Sequence, residues 1–262
     1  MKKELDTRHY PGVSPMAWTT FIFLYLPLLV VIFYSFNSSE LLSRWGGFSF
    51  AWYSEALSRN DVRSALTVSV QVAVIAMSGA VTLATAAALG LIALARRRSS
   101  IALTVLSLPL VIPEIVTAVA TLSFFGLLGL NRGLLTLILA HTAFCIPFAF
   151  FPIRARLSNI DVEIFEAGID LGASHFVLFR RVVFPLLFPG IVSGALLAFI
   201  ISLDDYIISS FVAGPESATL PLFLFGLIRR GASPLINAIS TLLLMLTFVI
   251  LIVSYIVSNR RR

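Results

Sequence analysis

Lysine, cysteine and histidine are all scarce in this sequence, and each shortage removes a class of activity. The only lysines are Lys2 and Lys3, so the chain lacks the lysine that follows the glycine-rich turn of a P-loop. The single cysteine, Cys145, excludes an internal disulfide and a cysteine-cluster metal site. Three widely separated histidines form no HExxH motif. We therefore expect no catalytic centre, no metal and no cofactor, and an energy source in another subunit.

Charged residues are also few. They make up 12% of the 262 residues, whereas 58% are hydrophobic and the mean hydropathy is +0.98. Soluble domains average about 25% charged residues, so this chain cannot coat a soluble surface. The net charge of +6 could suggest nucleic acid, but the arginines lie in short clusters between apolar runs. The composition predicts a multi-pass membrane protein that binds no nucleic acid.

Six uncharged or nearly uncharged runs are long enough to cross a bilayer, which requires about 20 residues. The predicted spans are Met16–Phe36, Ser64–Ala95, Ser99–Asn131, Gly133–Ile153, Val182–Leu203 and Gly231–Asn259. A seventh apolar stretch, Tyr206–Ile228, carries Gly214, Pro215, Glu216 and Pro221. We interpret this stretch as a re-entrant or interfacial segment with a short helix.

Six spans place both termini on one side. Thirteen of the nineteen Lys and Arg residues then lie on the side of the termini, which favours an orientation with both termini in the cytoplasm. The domain prediction is a cytoplasmic segment 1–15, a membrane domain 16–259 and a basic tail 260–262. We expect the first run to remain as an anchor, because it is longer than the apolar core of a signal peptide.

The loop between the fourth and fifth spans, residues 161–185, mixes charged and apolar residues. Asp161 can cap a helix whose apolar face carries Phe165 and Ile169. Gly172 is a natural helix stop with access to positive φ, and Ser174 can cap a second helix. Two short helices joined at a glycine could lie on the membrane surface or form a knob that docks into a partner.

This loop resembles the EAA signature of bacterial binding-protein-dependent ABC importer permeases. Glu166-Ala167-Gly168 is followed at the family's spacing by Gly172 and by Val182-Val-Phe-Pro185, with Gly168, Val182 and Phe184 as mild departures. The resemblance implies an all-α type I importer domain whose loop couples to a separate ATPase subunit. It implies coupling roles for Glu166, Ala167, Gly168, Asp170, Gly172 and Pro185.

Three acids lie in or beside the predicted spans: Glu114, Asp204 and Asp205. A carboxylate at the bilayer centre costs roughly 2.5–3.5 kcal/mol on insertion scales, so it marks a pathway or site by default. Glu114 lies 15 residues past Ser99, so at about 1.5 Å per residue we expect it near mid-membrane. The alternatives are a neutral or helix-bonded Glu114 and a solvated helix end at the two aspartates. No basic residue within the spans can neutralise Glu114, which favours a cationic substrate or a partner subunit.

Aromatic residues in the first external loop, Trp45, Trp52 and Tyr53, fit an interfacial belt, and alternatively a cation–π surface for amines. His141 and Cys145, one turn apart in the fourth span, are interpreted as packed helix residues rather than ligands.

Several segments resemble the spermidine/putrescine importer permeases, and the second membrane subunit best. They are Ser35–Ser39, His141–Pro147, Ser202–Tyr206, Phe211–Pro215, Thr219–Pro221 and Gly231–Ala238. The resemblance implies polyamine import across the bacterial inner membrane together with a second permease, two ATP-binding subunits and a periplasmic or surface binding protein. The alternatives are another amine or an opine-like solute, and an ion-coupled transporter with Glu114 as its proton site. An intramembrane enzyme has no supporting constellation.

Overall fold

The computed structural model describes residues 13–41, 44–92, 96–231 and 233–259, which are helical almost throughout. Most of the predicted segment 1–15 and all of the basic tail 260–262 lie outside these ranges. The described residues contain one isolated antiparallel bridge, between Asn37 and Phe48. The helices are α1 (Val13–Tyr34), α2 (Ala51–Ser58), α3 (Asn60–Ile92), α4 (Arg96–Val111), α5 (Glu114–Leu127), α6 (Leu134–Leu157), α7 (Val162–Asp170), α8 (His175–Leu178), α9 (Phe184–Asp204), α10 (Ile207–Val212), α11 (Leu220–Arg230) and α12 (Pro234–Asn259).

Five helical stretches are long and apolar enough to cross a membrane. They are Val13–Tyr34, Asn60–Ile92, Leu134–Leu157, His175–Asp204 and Pro234–Ile252. The fourth of these joins α8 to α9 through a π-helical turn, Phe179–Val183. A sixth crossing exists if α4 and α5, which meet at 105°, form one broken span. The all-α class with five to six apolar spans is confirmed.

The third predicted span is not one helix, and proline explains why. Pro109 lies inside α4, and Pro113 immediately precedes α5. Proline has no backbone N–H and disfavours helical geometry at the residue before it, so the helix ends near Ile112. The prediction of one continuous helix was therefore wrong, and Glu114 is the first residue after a sharp bend, while its depth in the membrane stays a prediction.

The stretch predicted as re-entrant contains two short helices, α10 and α11, neither long enough to span. The backbone N–H of Leu220 at the start of α11 donates to Ser69 Oγ on α3 at 2.7 Å. A serine inside an apolar span thus satisfies one of the unpaired donors of a helix N-terminus.

By internal contacts the chain divides into two compact units, Met1–Arg59 with Gly226–Leu246, and Asn60–Phe225 with Thr247–Arg262. In the second unit α3, α6 and α9 form the core. A row of small residues at helical spacing is fully buried on α3: Ala73, Ala76, Ala80, Ala84 and Ala88. On α9, a Cβ at Gly194 would lie only 2.6 Å from the Ala149 oxygen of α6. Small residues therefore allow close helix packing, as membrane interfaces require.

In the first unit, the loop after α1 is organised by the buried amide of Asn37. Its Nδ2 donates to the Arg44 carbonyl at 2.8 Å, and its Oδ1 accepts from Gly46 N–H at 2.8 Å. Trp52 Nε1 donates to the Asn37 carbonyl at 2.8 Å. A single buried amide thereby fixes the loop between α1 and α2.

Candidate functional site

The three predicted acids line one cavity of about 410 Å³ in the second unit. This volume lies within the roughly 300–1,000 Å³ range of small-molecule sites. Besides Glu114, Asp204 and Asp205, the lining is aromatic and aliphatic: Phe144, Phe148, Ile200, Ile201, Tyr206 and Ile207. None of these lining residues is basic, so the cavity is acidic with apolar walls.

The cavity forms where α9 breaks. Asp204 ends α9, Asp205 takes an extended conformation with ψ 123°, and α10 begins two residues later. The Asp205 carboxylate turns onto α10, where it accepts N–H bonds from Ile208 at 3.2 Å and from Ser209 at 2.8 Å. The carboxylate therefore satisfies the donors that the helix break exposes.

A buried histidine completes this network. His141 Nε2 lies 3.2 Å from Asp205 Oδ2 and 3.1 Å from Ser209 Oγ. Its Nδ1 lies 2.7 Å from Ser202 Oγ on α9. One imidazole thereby bridges α6, α9 and α10, and both its ring nitrogens have partners, as a buried polar side chain requires.

The two adjacent aspartates consequently differ in role. Asp205 is buried and committed to His141 and to α10, whereas Asp204 is exposed and lines the cavity. Glu114 is half-buried at the start of α5 and lines the same cavity as the two aspartates. Glu114 and Asp204 are thus the carboxylates most available to a bound cation.

Sequence reasoning missed His141, which it assigned to helix packing, and the lining residues Phe144, Phe148 and Tyr206. His141 is indeed buried, at 1% exposure, but it is also the polar centre of the network. A signal existed, because His141 and Ser202 each opened a segment that carried the resemblance. The two residues are 61 positions apart in sequence, and the packing of α6 on α9 brings them together.

The external-loop aromatics lie in the first unit and have local partners. Trp45 stacks on Phe33 with ring centroids 4.5 Å apart. Tyr53 Oη and Ser35 Oγ are 2.5 Å apart, and Trp52 bonds the Asn37 carbonyl. These contacts stabilise the loop, and the amine-binding role of the three rings stays a prediction.

The loop 161–185 has the predicted two-helix form. α7 ends at Asp170, and Gly172 has φ +77°, as predicted for a left-handed helix stop. Ala173 N–H donates to the Gly168 carbonyl at 3.1 Å, which closes the turn. Ser174 Oγ accepts from Val177 N–H at 3.4 Å, so the second predicted cap is also present. Asp161 occupies the N-cap position of α7 without a side-chain hydrogen bond, so the predicted side-chain cap was wrong.

Gly168, the departure from alanine, packs closely against α8. A Cβ at this position would overlap Cδ1 of Leu178, the buried residue of α8. α7 and α8 therefore fold against each other at a glycine. The predicted coupling residues Glu166, Ala167 and Asp170 are exposed on α7, and Pro185 is exposed at the start of α9.

Large apolar side chains are exposed on the same loop, led by Leu171 at 88%, Phe176 at 69% and Ile169 at 53%. Apolar groups displayed together on a surface mark an interaction site. No group of three His, Cys, Asp or Glu side chains in the described ranges could hold a metal ion.

Comparison with known proteins agrees with this architecture. The membrane chain of the MetNI methionine ABC transporter aligns with a TM-score of 0.65 at 18% identity, covering 77% of this chain and 98% of its own. An ABC transporter that imports the acidic polysaccharide alginate aligns with a TM-score of 0.70 at 15% identity, covering 95% and 93%. The fold is that of the transmembrane domain of a type I ABC importer.

The sequence defines the family. Residues 80–262 match the family described as "Binding-protein-dependent transport system inner membrane component", and the chain belongs to it. It is a multi-pass component of the bacterial inner membrane.

Named permeases are similar to this chain. The "Putrescine transport system permease protein PotI" of Escherichia coli K12 is 41% identical over 231 residues, 86% of this chain and 82% of its own length. The "Spermidine/putrescine transport system permease protein PotC" of the same strain is 35% identical over 91% of this chain and 90% of its own. Its Haemophilus influenzae counterpart is 33% identical over 94% and 96%.

Proposed function

We propose that this chain is a permease subunit of an ATP-driven importer of polyamines such as putrescine and spermidine. The single observation that carries the substrate class is the acidic cavity beside the α9–α10 break. A linear polyamine has ammonium groups separated by methylenes. Glu114 and Asp204 would bind the ammonium groups, while Phe144, Phe148 and Tyr206 would cover the methylenes. The names of PotI and PotC support the same substrate class.

The cavity need not bind tightly. A carboxylate pair that bound a polyamine tightly would slow its release. Weak successive contacts therefore favour transport of the polyamine through the cavity. In this proposal a periplasmic or surface binding protein supplies the affinity, and the acids lower the barrier to crossing.

The chain itself would catalyse no covalent chemistry. Two separate ATP-binding subunits would supply energy, and a second homologous permease would complete the path. Support for ATPase docking comes from the exposed apolar side chains on the two-helix loop and from Glu166 beside them.

The same proposal orients the chain with both termini, and therefore the loop 161–185, in the cytoplasm, as the arginine count favours. A cysteine introduced at Ser174, labelled by an impermeant thiol reagent from the outside of intact cells, would contradict this orientation.

The test is uptake of radiolabelled putrescine and spermidine into proteoliposomes that contain all subunits and the binding protein. Uptake should require internal ATP and should saturate for the polyamines, whereas an opine-like zwitterion should compete poorly. Uptake driven by a proton gradient without ATP would establish the ion-coupled alternative. Transport of anionic or neutral solutes alone would overturn the polyamine assignment.

A further inference from the structure

A second cavity, of about 440 Å³, lies in the same unit beside the two-helix loop. It is formed by the end of α3, the start of α4, the end of α6 and Phe165 of α7. Its walls are mainly apolar: Ala88, Leu91, Ile92, Leu157, Ile160 and Phe165. Three polar residues, Arg154, Ser99 and Ser158, complete the lining.

Arg154 sets the chemistry of this cavity. Its side chain is half-buried, and it forms no ion pair or side-chain hydrogen bond with the residues that the structure describes. Arg156, two residues further along α6, differs because its Nε donates to the Leu186 carbonyl at 2.9 Å. A guanidinium has five N–H donors in a planar fork, and here the part of the chain that the structure describes supplies no acceptor for them. An anion would satisfy them.

The apolar walls and the position of Arg154 favour an anion that also carries an apolar chain. Arg154 lies in the last turn of α6, where this apolar span ends. A small polar anion would leave the apolar walls unfilled, and a plain hydrocarbon would leave Arg154 unpaired. Arginine binds phosphate oxygens in bidentate geometry, and basic pockets between membrane helices hold lipid headgroups.

We propose that this cavity binds an anionic phospholipid, with its phosphate on Arg154 and an acyl chain against Leu91, Leu157 and Phe165. Because Phe165 belongs to α7, the bound lipid supports the base of the two-helix loop. The consequence for ATPase coupling rests on the proposed function above, whereas lipid binding itself does not. A free phosphate compound from the cytoplasm offers the same headgroup chemistry without the acyl chain.

The experiment uses the assembled importer in nanodiscs of phosphatidylcholine with or without phosphatidylglycerol, and native mass spectrometry counts retained lipids. Wild-type importer should retain phosphatidylglycerol, and Arg154→Gln should weaken retention by about tenfold or more, the worth of a charged hydrogen bond. Arg132→Gln, an equal loss of charge at an exposed arginine outside the two-helix loop, is the matched control and should retain the lipid. Ser158→Trp should block binding by filling the cavity mouth while keeping Arg154.

Two further outcomes decide the source and the consequence. Displacement of the lipid by glycerol phosphate would show that the site reads the headgroup alone, and the proposed lipid would be wrong. Equal retention by wild type and Arg154→Gln, or equal loss in both arginine variants, would also overturn it. Phosphatidylglycerol should raise ATP hydrolysis stimulated by the binding protein in wild type and in Arg132→Gln, but not in Arg154→Gln. If the wild-type importer binds the lipid but the lipid does not raise its ATP hydrolysis, lipid binding stands and the coupling role of the loop is refuted.

Discussion

The two-helix loop and the acidic cavity are built on opposite principles. The loop is exposed, and its form depends on the left-handed backbone at Gly172. The cavity depends on a buried network of side chains, centred on His141 and Asp205, from helices far apart in sequence. We therefore expect the loop to lose its function when one residue strains the backbone. The cavity network should lose stability when a substitution leaves a buried polar side chain unpaired.

The largest effect should come from Gly172→Val. A β-branched residue at φ +77° is strained, at a cost of about 1–3 kcal/mol, so the turn between α7 and α8 should change its path. We expect loss of both polyamine uptake and stimulated ATP hydrolysis in proteoliposomes, with normal abundance in the membrane. Gly172→Asn is the control, because asparagine tolerates a positive φ, and it should retain most activity. Full coupling in the valine variant would show that this turn does not transmit ATPase motion.

His141→Leu should have the next largest effect. It removes the imidazole that contacts Asp205, Ser202 and Ser209, and a buried polar group left without a hydrogen-bond partner costs about 1–3 kcal/mol. Thermal unfolding of the purified complex should shift to lower temperature, and uptake should fall with it. Cys145→Ala, one turn away and equally buried, should shift it less.

A double variant sharpens that result. Asparagine at position 205 can still cap α10 but carries no charge to be paired. His141→Leu with Asp205→Asn should therefore be more stable than His141→Leu alone, which is the signature of a direct interaction. Additive losses would mean that the two side chains act independently.

The same contrast explains what could be predicted from the sequence. Five of the six spans, the turn at Gly172 and the cap at Ser174 follow from hydropathy and local backbone preference, and the structure confirms them. The bend at Pro113 was signalled locally but was outweighed by the continuous apolar run. The partnership of His141 with Asp205 depends on the packing of α6 against α9, which no local pattern encodes. Asp204 and Asp205 likewise look equivalent in the sequence, but the break between α9 and α10 makes only Asp205 a cap of α10.

Charge removal at the cavity should have the smallest and most graded effects, and it tests which acids face the substrate. Glu114 is half-buried, so its contact with an ammonium group is partly desolvated and worth about 1.5–3 kcal/mol. Glu114→Gln should cut uptake by about tenfold or more, since 1.4 kcal/mol corresponds to a factor of ten. Asp204 is exposed, and exposed ion pairs contribute about 0.2–1 kcal/mol, so Asp204→Asn should cut uptake less than about fivefold. Both variants should assemble and should keep the stimulated ATP hydrolysis that Gly172→Val loses. Glu114→Asp should transport faster than Glu114→Gln because it keeps the charge. If neutral variants at both positions transport radiolabelled spermidine and putrescine at wild-type rates, the carboxylates are structural, and the cavity is not the path of the cation.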